Sequence, residues 1–276
     1  MTIKTIGAVL SDVGTAKAVL DTAFSLASAH DAHVIGLYAE VVDPPPVVSP
    51  FDLPDSTVIS ALYEAAATKR KDIEALFGDL ANRAGGSNEW RSFRGSSGIA
   101  VQGLVESARC VDLIVASQPA DGAVGGFDDV LFEGARPVLF VPWIERSFKP
   151  FKRILVGWDG SREASRAVFD SIGLLAKAEE VEIFSVDSKD TRLQSAATAG
   201  SEIAAVLTRH GLKVNVRSEE SGGLPTSAVI ENRCSDFSAD LLIMGAYSHS
   251  RLRERIFGGV TQVLLQSMTV PVLMSR

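Results

Sequence analysis

The feature that most constrains the fold of this chain is an internal repeat. Three short segments of the first half recur in the same order in the second half: Ala-Val-Leu-Asp21 resembles Ala-Val-Phe-Asp170, Asp112-Leu-Ile-Val resembles Asp240-Leu-Leu-Ile, and Pro137-Val-Leu-Phe resembles Pro271-Val-Leu-Met. The chain therefore reads as two copies of one unit of about 130 residues. We expect both copies to fold in the same way.

Each copy alternates short apolar runs, which predict buried strands, with segments whose apolar residues recur at helical spacing. Strands separated by helices imply a parallel sheet with helices on both faces. The sequence thus predicts an α/β protein of two Rossmann-like domains, one over residues 1–147 and one over residues 148–276. The predicted strands are 6–10, 32–38, 90–94, 112–116, 137–141, 153–158, 181–186, 213–217, 240–244 and 270–274, and the predicted helices are 15–30, 56–84, 99–110, 164–176, 198–210, 226–234 and 262–267.

The segment after the fourth strand of the second copy has the composition of a phosphate site. Gly245 directly follows the strand, where glycine permits a sharp turn and the close approach of a ligand. Gly258 and Gly259 stand at a predicted helix start, where free N–H groups and the helix dipole favour an anion. His249 and three arginines, Arg251 among them, lie between the two ends. The alternatives are that the glycines only form turns and that the arginines form a solvated face.

The spacing of this segment resembles the nucleotide loop of the universal stress protein family. That pattern is glycine, two residues, glycine, nine residues, glycine and then serine or threonine. Here Gly245 is followed after two residues by Ser248, and after nine more by Gly258 and Gly259. Ser248 thus replaces the second glycine, and Gly259 replaces the serine or threonine. Because the repeat covers nearly the whole chain, the chain is similar to the tandem type of the family. The resemblance implies the adenine nucleotide alpha hydrolase-like fold in each domain, a five-stranded parallel sheet of order 3-2-1-4-5 with helices on both faces.

The resemblance also implies a binding site for an adenine nucleotide in the second domain. Backbone N–H groups of the loop and the hydroxyl of Thr261 would hold phosphates, Asp159 would contact the nucleoside, and Val186 would contact adenine. For Asp159 the alternative is a turn or helix N-cap residue. The implied ligand is ATP, AMP or ADP, with Mg²⁺ accompanying a triphosphate. The candidate binding residues are Gly157, Asp159, Val186, Met244, Gly245, Ser248, His249, Arg251, Gly258, Gly259, Val260 and Thr261.

The first copy departs from this pattern at the corresponding place. No lysine or arginine lies between Ser117 and Gly134, and the segment is acidic. Because carboxylates repel a triphosphate, we expect the first domain not to bind a nucleotide through this loop. Asp12 corresponds roughly to Asp159, so part of a nucleoside pocket can persist. The acidic residues are Asp121, Asp128, Asp129 and Glu133.

Composition excludes several other classes of protein. The formal net charge of −7 argues against general binding of nucleic acid or anionic membranes, because both need a basic surface. No apolar run approaches the roughly 18 residues of a membrane span, and no signal peptide is visible, so we expect a cytoplasmic protein. Cysteines and histidines lack metal-site spacing, and no P-loop motif is present. The matching positions of Cys110 and Cys234 predict two buried thiols.

Three functions follow from these features. The first is a nucleotide-binding stress-response regulator. The second is an ATPase on the same site, which should be slow because no general base or metal-binding carboxylate pair is evident near the loop. The third is an interaction module that binds no nucleotide, which Ser248 and Gly259 support. The last strand should form a sheet edge that pairs with residues 137–141 of the same chain as a pseudo-dimer, leaving other surfaces for a homodimer.

Overall fold

The computed structural model describes residues 2–43, 56–119, 127–144, 148–188, 195, 198–246 and 259–276, with the backbone alone at residues 127–129. Contacts divide the chain into two compact units. The N-terminal unit comprises Ile3–Ser117 and Gly125–Gly134, and the C-terminal unit comprises Met1–Thr2, Gln118–Val124 and Ala135–Arg276. The units therefore do not follow the chain order strictly. The boundary expected between residues 147 and 148 stays a prediction about the repeat.

Strands and helices alternate along the N-terminal unit. Its strands lie in the order β3-β2-β1-β4, and each neighbouring pair is parallel. The elements are β1 (Thr5–Leu10), α1 (Val13–His30), β2 (His33–Val41), α2 (Ser56–Ala84), β3 (Asn88–Gly95), α3 (Ser97–Ala108), β4 (Leu113–Ser117) and α4 (Phe127–Glu133).

An aromatic cluster holds α1 and α2 against this sheet. The ring of Phe77 on α2 lies 5.7 Å from that of Phe24 on α1 and 5.5 Å from that of Trp90 on β3, measured between centroids. Gly36 in β2 makes room for them, because a Cβ atom there would come within 2.8 Å of both Phe77 and Trp90. The glycine therefore allows large rings to cover the strand.

The C-terminal unit repeats the arrangement and adds two strands, β10 and β5. Its parallel strands lie in the order β8-β7-β6-β9-β10, which is the predicted order 3-2-1-4-5. β5, the last strand of the first repeat, pairs antiparallel with β10, with Phe140 opposite Val272. The elements are β5 (Val138–Val141), β6 (Arg153–Gly157), α5 (Arg162–Asp170), α6 (Ile172–Leu175), β7 (Glu180–Val186), α7 (Ser201–Arg209), β8 (Val214–Glu219), α8 (Thr226–Asp236), β9 (Leu241–Gly245), α9 (Gly259–Ser267) and β10 (Val272–Ser275).

A buried ion pair ties α8 to the sheet of the C-terminal unit. Glu182 in β7 is only 5% exposed, yet it carries a carboxylate into the interior. The guanidinium of Arg233 on α8 donates to both carboxylate oxygens, at 2.6 and 2.7 Å. Such a bidentate pair satisfies the charge that burial would otherwise penalise. It therefore fixes α8 against β7.

The predicted α/β fold is confirmed, and the pairing of the two fifth strands within one chain is observed. Two local expectations are wrong. α4 forms in the acidic segment of the first repeat, where no helix was expected. Cys110 is exposed, whereas Cys234 is buried as expected. The reason is that α3 ends at Ala108, so that Cys110 follows the helix, while Cys234 lies within α8.

Candidate functional site

The strand order of the C-terminal unit reverses at β6. β7 lies on one side of β6 and β9 on the other, and the register places Gly157 opposite both Phe184 and Met244. Val186 ends β7 two residues beyond Phe184, and Gly245 ends β9 directly after Met244. The carboxyl ends of three strands therefore bring the candidates Gly157, Val186, Met244 and Gly245 to one edge. In doubly wound sheets, this reversal point is where ligands bind.

Gly157 lies at the centre of this edge. A Cβ atom at Gly157 would lie 3.6 Å from the Cβ of Met244, which is ordinary van der Waals contact. Glycine is therefore not required here by packing within the described residues. A glycine that packing does not require is compatible with the close approach of a ligand.

Asp159 forms the turn between β6 and α5. Its Oδ1 accepts a hydrogen bond from the backbone N–H of Ser161 at 2.9 Å, and Gly160 between them has a φ of 75°. Ser161 is the N-cap of α5, because its hydroxyl oxygen accepts from the N–H of Ala164 at 3.1 Å. Of the two alternatives for Asp159, the turn is thus observed and the N-cap is taken by Ser161. The carboxylate of Asp159 is also exposed at the sheet edge.

The N-terminal unit uses an aspartate for the capping role instead. Asp12 is the N-cap of α1, where its carboxylate accepts from the N–H and the hydroxyl of Thr15, both at 3.0 Å. Burial acts to raise the pKa of Asp12, but these bonds and one from Ser11 outweigh it and hold the pKa below its ordinary value. Asp12 stands nine residues before Asp21, as Ser161 stands nine before Asp170. Asp12 therefore corresponds to Ser161, and its rough correspondence to Asp159 is corrected.

Gly245 is glycine for a reason that involves no ligand. A Cβ atom at this position would lie 2.5 Å from the backbone nitrogen of Ala164 and 2.9 Å from the Cβ of Glu163. The first turn of α5 thus rests directly on the end of β9. Glu163 is 4% exposed and forms an ion pair with Arg162. The structural explanation of Gly245 is sufficient by itself, so this glycine adds little support for a phosphate site.

α9 begins at the same edge of the sheet. It connects β9 to the parallel neighbour β10, so its first turn lies at the end where β9 finishes. Gly259 is exposed, and a Cβ atom there would meet nothing within 4 Å. Val260 is partly buried and Thr261 is 4% exposed. The open position at Gly259 and the free N–H groups of a helix N-terminus are features that suit an anion.

Part of the predicted phosphate loop lies outside the described residues. Residues 247–258 are not described, and the candidates among them are Ser248, His249, Arg251 and Gly258. Their roles stay predictions. The described candidates that the structure brings to one edge are Gly157, Asp159, Val186, Met244, Gly245 and Gly259.

Sequence reasoning missed Asp187, the residue after Val186. Its Oδ1 accepts a hydrogen bond from the backbone N–H of Ser221, in the turn after β8, at 2.8 Å. An aspartate directly after a strand was the available signal. The sequence did not reveal its partner, because the two residues are 34 positions apart.

The described part of the chain offers neither a cluster of metal ligands nor a helix that could cross a membrane. There, no three histidine, cysteine, aspartate or glutamate residues are grouped so that they could hold a metal ion. Of the described helices, not one has both the length and the apolar character that a membrane span requires.

These features define the C-terminal unit as a doubly wound α/β unit with an open edge at the reversal point of its strands. The sequence of this unit points to one family with this fold, because residues 150–276 match the model of the universal stress protein family. The C-terminal half of the chain is therefore similar to that family.

Comparisons with individual proteins agree with this similarity. A universal stress protein of Synechocystis sp. is 29% identical over 142 residues, which are 51% of this chain and 47% of that protein. The chain thus spans about half the length of the curated relative it matches. A universal stress protein from Archaeoglobus fulgidus has a TM-score of 0.73 at 16% identity, covering 100% of this chain and 97% of that one. A functionally unknown protein from Pseudomonas aeruginosa has a TM-score of 0.55 at 16% identity, covering 99% and 92%. At such identities the likeness concerns the fold.

Proposed function

We propose that the C-terminal unit binds an adenine nucleotide at the edge formed by β6, β7, β9 and the start of α9. The observation that carries this proposal is the convergence of Gly157, Asp159, Val186 and Gly259 at the reversal point of the strand order. Gly157 offers backbone without a side chain, Asp159 an acceptor for ribose hydroxyls, and Val186 an apolar contact for the base. The match of residues 150–276 to the model of the universal stress protein family supports the same ligand class.

The phosphates would extend from Gly157 toward the first turn of α9. Gly259 has room for a ligand atom where a side chain would otherwise stand. Mg²⁺ would enter with a triphosphate, whose oxygens would supply most of its ligands, since this ion is commonly held by one or two carboxylates and substrate phosphates. ATP, ADP and AMP all satisfy this arrangement.

In the cell, we propose that nucleotide occupancy regulates contacts with a partner during stress. The similarity of residues 150–276 to the universal stress protein family supports this role. A slow ATPase and a module that binds no nucleotide are the competing functions. A homodimer is expected as well, and light scattering coupled to size exclusion would measure it.

The test is ATP binding by calorimetry on nucleotide-free protein, with and without Mg²⁺. The decisive variant is Gly259→Asp, which places a negative charge at the proposed phosphate position. A carboxylate in the first turn suits the helix dipole, so α9 should remain folded. The matched control is Gly98→Asp, the same change in the first turn of α3, where a Cβ atom also meets nothing within 4 Å.

We expect the wild type and Gly98→Asp to bind ATP alike, and Gly259→Asp to bind at least about tenfold more weakly because like charges repel. Wild-type protein that binds neither ATP nor AMP would overturn the proposal and favour the interaction module. Release of ADP at many turnovers per second would favour the enzyme. Equal binding by Gly259→Asp would place the phosphates elsewhere.

A further inference from the structure

Asp187 joins two strand ends at the proposed nucleoside position. It directly follows Val186, and its φ of 48° lies in the left-handed region that few residues other than glycine adopt. Its backbone N–H donates to the carbonyl oxygen of Glu219 at 3.0 Å, and its Oδ1 accepts from the N–H of Ser221 at 2.8 Å. One residue therefore ties the end of β7 to the turn after β8.

The turn that Asp187 holds is built from residues 221–224. Gly222 and Gly223 have φ values of 60° and 88°, and the N–H of Leu224 donates to the carbonyl oxygen of Ser221 at 3.0 Å. The side chain of Leu224 is 55% exposed. Two successive left-handed glycines permit many conformations of a free chain, so an anchor at Ser221 has a large effect on where the turn lies. The carboxylate of Asp187 supplies such an anchor.

The N-terminal unit contains the same connection, built from a different position. Val42, directly after β2, donates its N–H to the carbonyl oxygen of Gly95 at 2.9 Å, as Asp187 does to Glu219. The carboxylate comes one residue later, from Asp43, whose Oδ1 accepts from the N–H of Ser97 at 2.9 Å.

Ser97 and Ser221 each stand two residues after their strand, so the anchored atom is equivalent in the two repeats. The carboxylates are not equivalent, since Val42 corresponds to Asp187 and Asp43 to Ser188. Two diverged repeats therefore form one bond from different residues. Only in the C-terminal unit does the anchoring residue adjoin a proposed base contact, Val186.

We propose that Asp187 is a positioning residue for the nucleoside. It holds in place the turn formed by residues 221–224, and this turn is the outer wall of the base site. This inference rests on the proposed nucleotide site. It differs from that proposal in assigning Asp187 to the base end of the ligand. Changes at Asp187 should therefore affect adenosine and ATP by the same factor, whereas changes at Gly259 should affect only ligands with phosphates.

The experiment compares two variants that separate the carboxylate from the backbone conformation. Asp187→Asn keeps an oxygen that can accept from Ser221, and asparagine tolerates the left-handed region. Asp187→Gly removes the acceptor and relieves any backbone strain. The control is Asp43→Gly, which removes the equivalent bond from the N-terminal unit. Adenosine, ATP and inorganic tripolyphosphate are titrated by calorimetry, and urea unfolding checks the fold.

We expect Asp187→Gly to bind adenosine and ATP about tenfold more weakly, since a hydrogen bond to a charged group contributes energy of this order. Its affinity for tripolyphosphate should not change. Asp187→Asn should regain most of the affinity, and Asp43→Gly should bind as the wild type does. Wild-type affinity for adenosine in Asp187→Gly would overturn the inference while leaving the nucleotide site intact. Absence of ATP binding by the wild type would instead overturn the proposed function itself.

Discussion

The backbone nitrogen of Ala164 lies only 2.5 Å from the position that a Cβ atom of Gly245 would occupy. Rotamer changes cannot relieve contact with a backbone atom, so any side chain at Gly245 must displace α5 or β9. We expect Gly245→Ala to lower the free energy of unfolding by about 1–3 kcal/mol, the usual cost of overpacking. Urea unfolding followed by circular dichroism measures it.

Gly157→Ala is the control for this prediction, because its Cβ would stop 3.6 Å from that of Met244. We expect its stability to remain near that of the wild type. Equal stability of Gly245→Ala and the wild type would show that α5 does not rest on the end of β9 in solution. Because Gly245→Ala should disturb the fold, a loss of ligand binding in Gly245→Ala would not be evidence that Gly245 contacts a phosphate.

Gly259, unlike Gly245, has room for a side chain. We expect Gly259→Ser to bind ATP about fivefold more tightly, because a hydroxyl at the first turn of α9 can donate a charge-assisted hydrogen bond to a phosphate. Gly259→Ala adds the same Cβ without the hydroxyl and should not gain affinity. Calorimetry measures all three proteins, and tighter binding by both variants would point to helix stability as the cause.

The carboxylate of Asp12 should make the stability of the N-terminal unit depend on pH. Asp12→Ala removes the N-cap of α1 and should cost about 1 kcal/mol at pH 7. The pKa of Asp12 lies below its ordinary value, because hydrogen bonds from Thr15 and Ser11 outweigh the opposing effect of burial. A group with a depressed native pKa stabilises the fold above its unfolded pKa of about 3.9 and loses this effect as the pH falls through the native pKa.

The difference in free energy of unfolding between the wild type and Asp12→Ala should therefore shrink as the pH falls below about 5. The decrease should be roughly the whole contribution of the charged carboxylate. Urea unfolding at a series of pH values measures the difference. Ser161→Ala removes the uncharged N-cap of α5, and its cost should vary much less with pH. If the difference in free energy of unfolding between the wild type and Asp12→Ala stays constant down to acid pH, the charge of Asp12 does not contribute to stability.

The two thiols should differ strongly in reactivity. Burial raises the pKa of Cys234 to about 12, so very little thiolate is present at neutral pH. Cys110 is exposed. We expect a disulfide reagent at pH 8 to modify one thiol quickly in the native protein and two in denaturant. In Cys110→Ser the fast reaction should disappear, and a fast reaction that persists there would show that Cys234 is accessible.

The sequence predicted the fold well where local patterns decide the structure. Residues 56–84 were predicted as a helix with both ends correct, because a proline-rich stretch precedes them and Gly85 and Gly86 follow. The strand order was not visible in any local pattern and came from the family resemblance. Cys110 was misplaced because periodicity continued past the end of α3 at Ala108.

The candidate site was predictable only in part. Glycines and aspartates after strands were recognisable, since the ends of parallel strands meet at one edge. The reason for Gly245 was not, because it depends on how closely α5 packs against β9. The role of Asp187 was hidden for a similar reason, since its partner Ser221 comes from the next strand-to-helix turn. The capping role of Asp12 was not predicted, because it depends on the residue at which α1 begins.

The antiparallel pairing of β5 with β10 affects how this gene can be divided for expression. A recombinant fragment that starts at residue 148 follows the sequence repeat, but it lacks Val138–Val141 and leaves one side of β10 uncovered. An unpaired strand edge promotes association with other chains. A fragment that starts at Ala135 retains the covering strand. A fragment for producing the C-terminal half should therefore begin before β5. That start lies within the first repeat of the sequence.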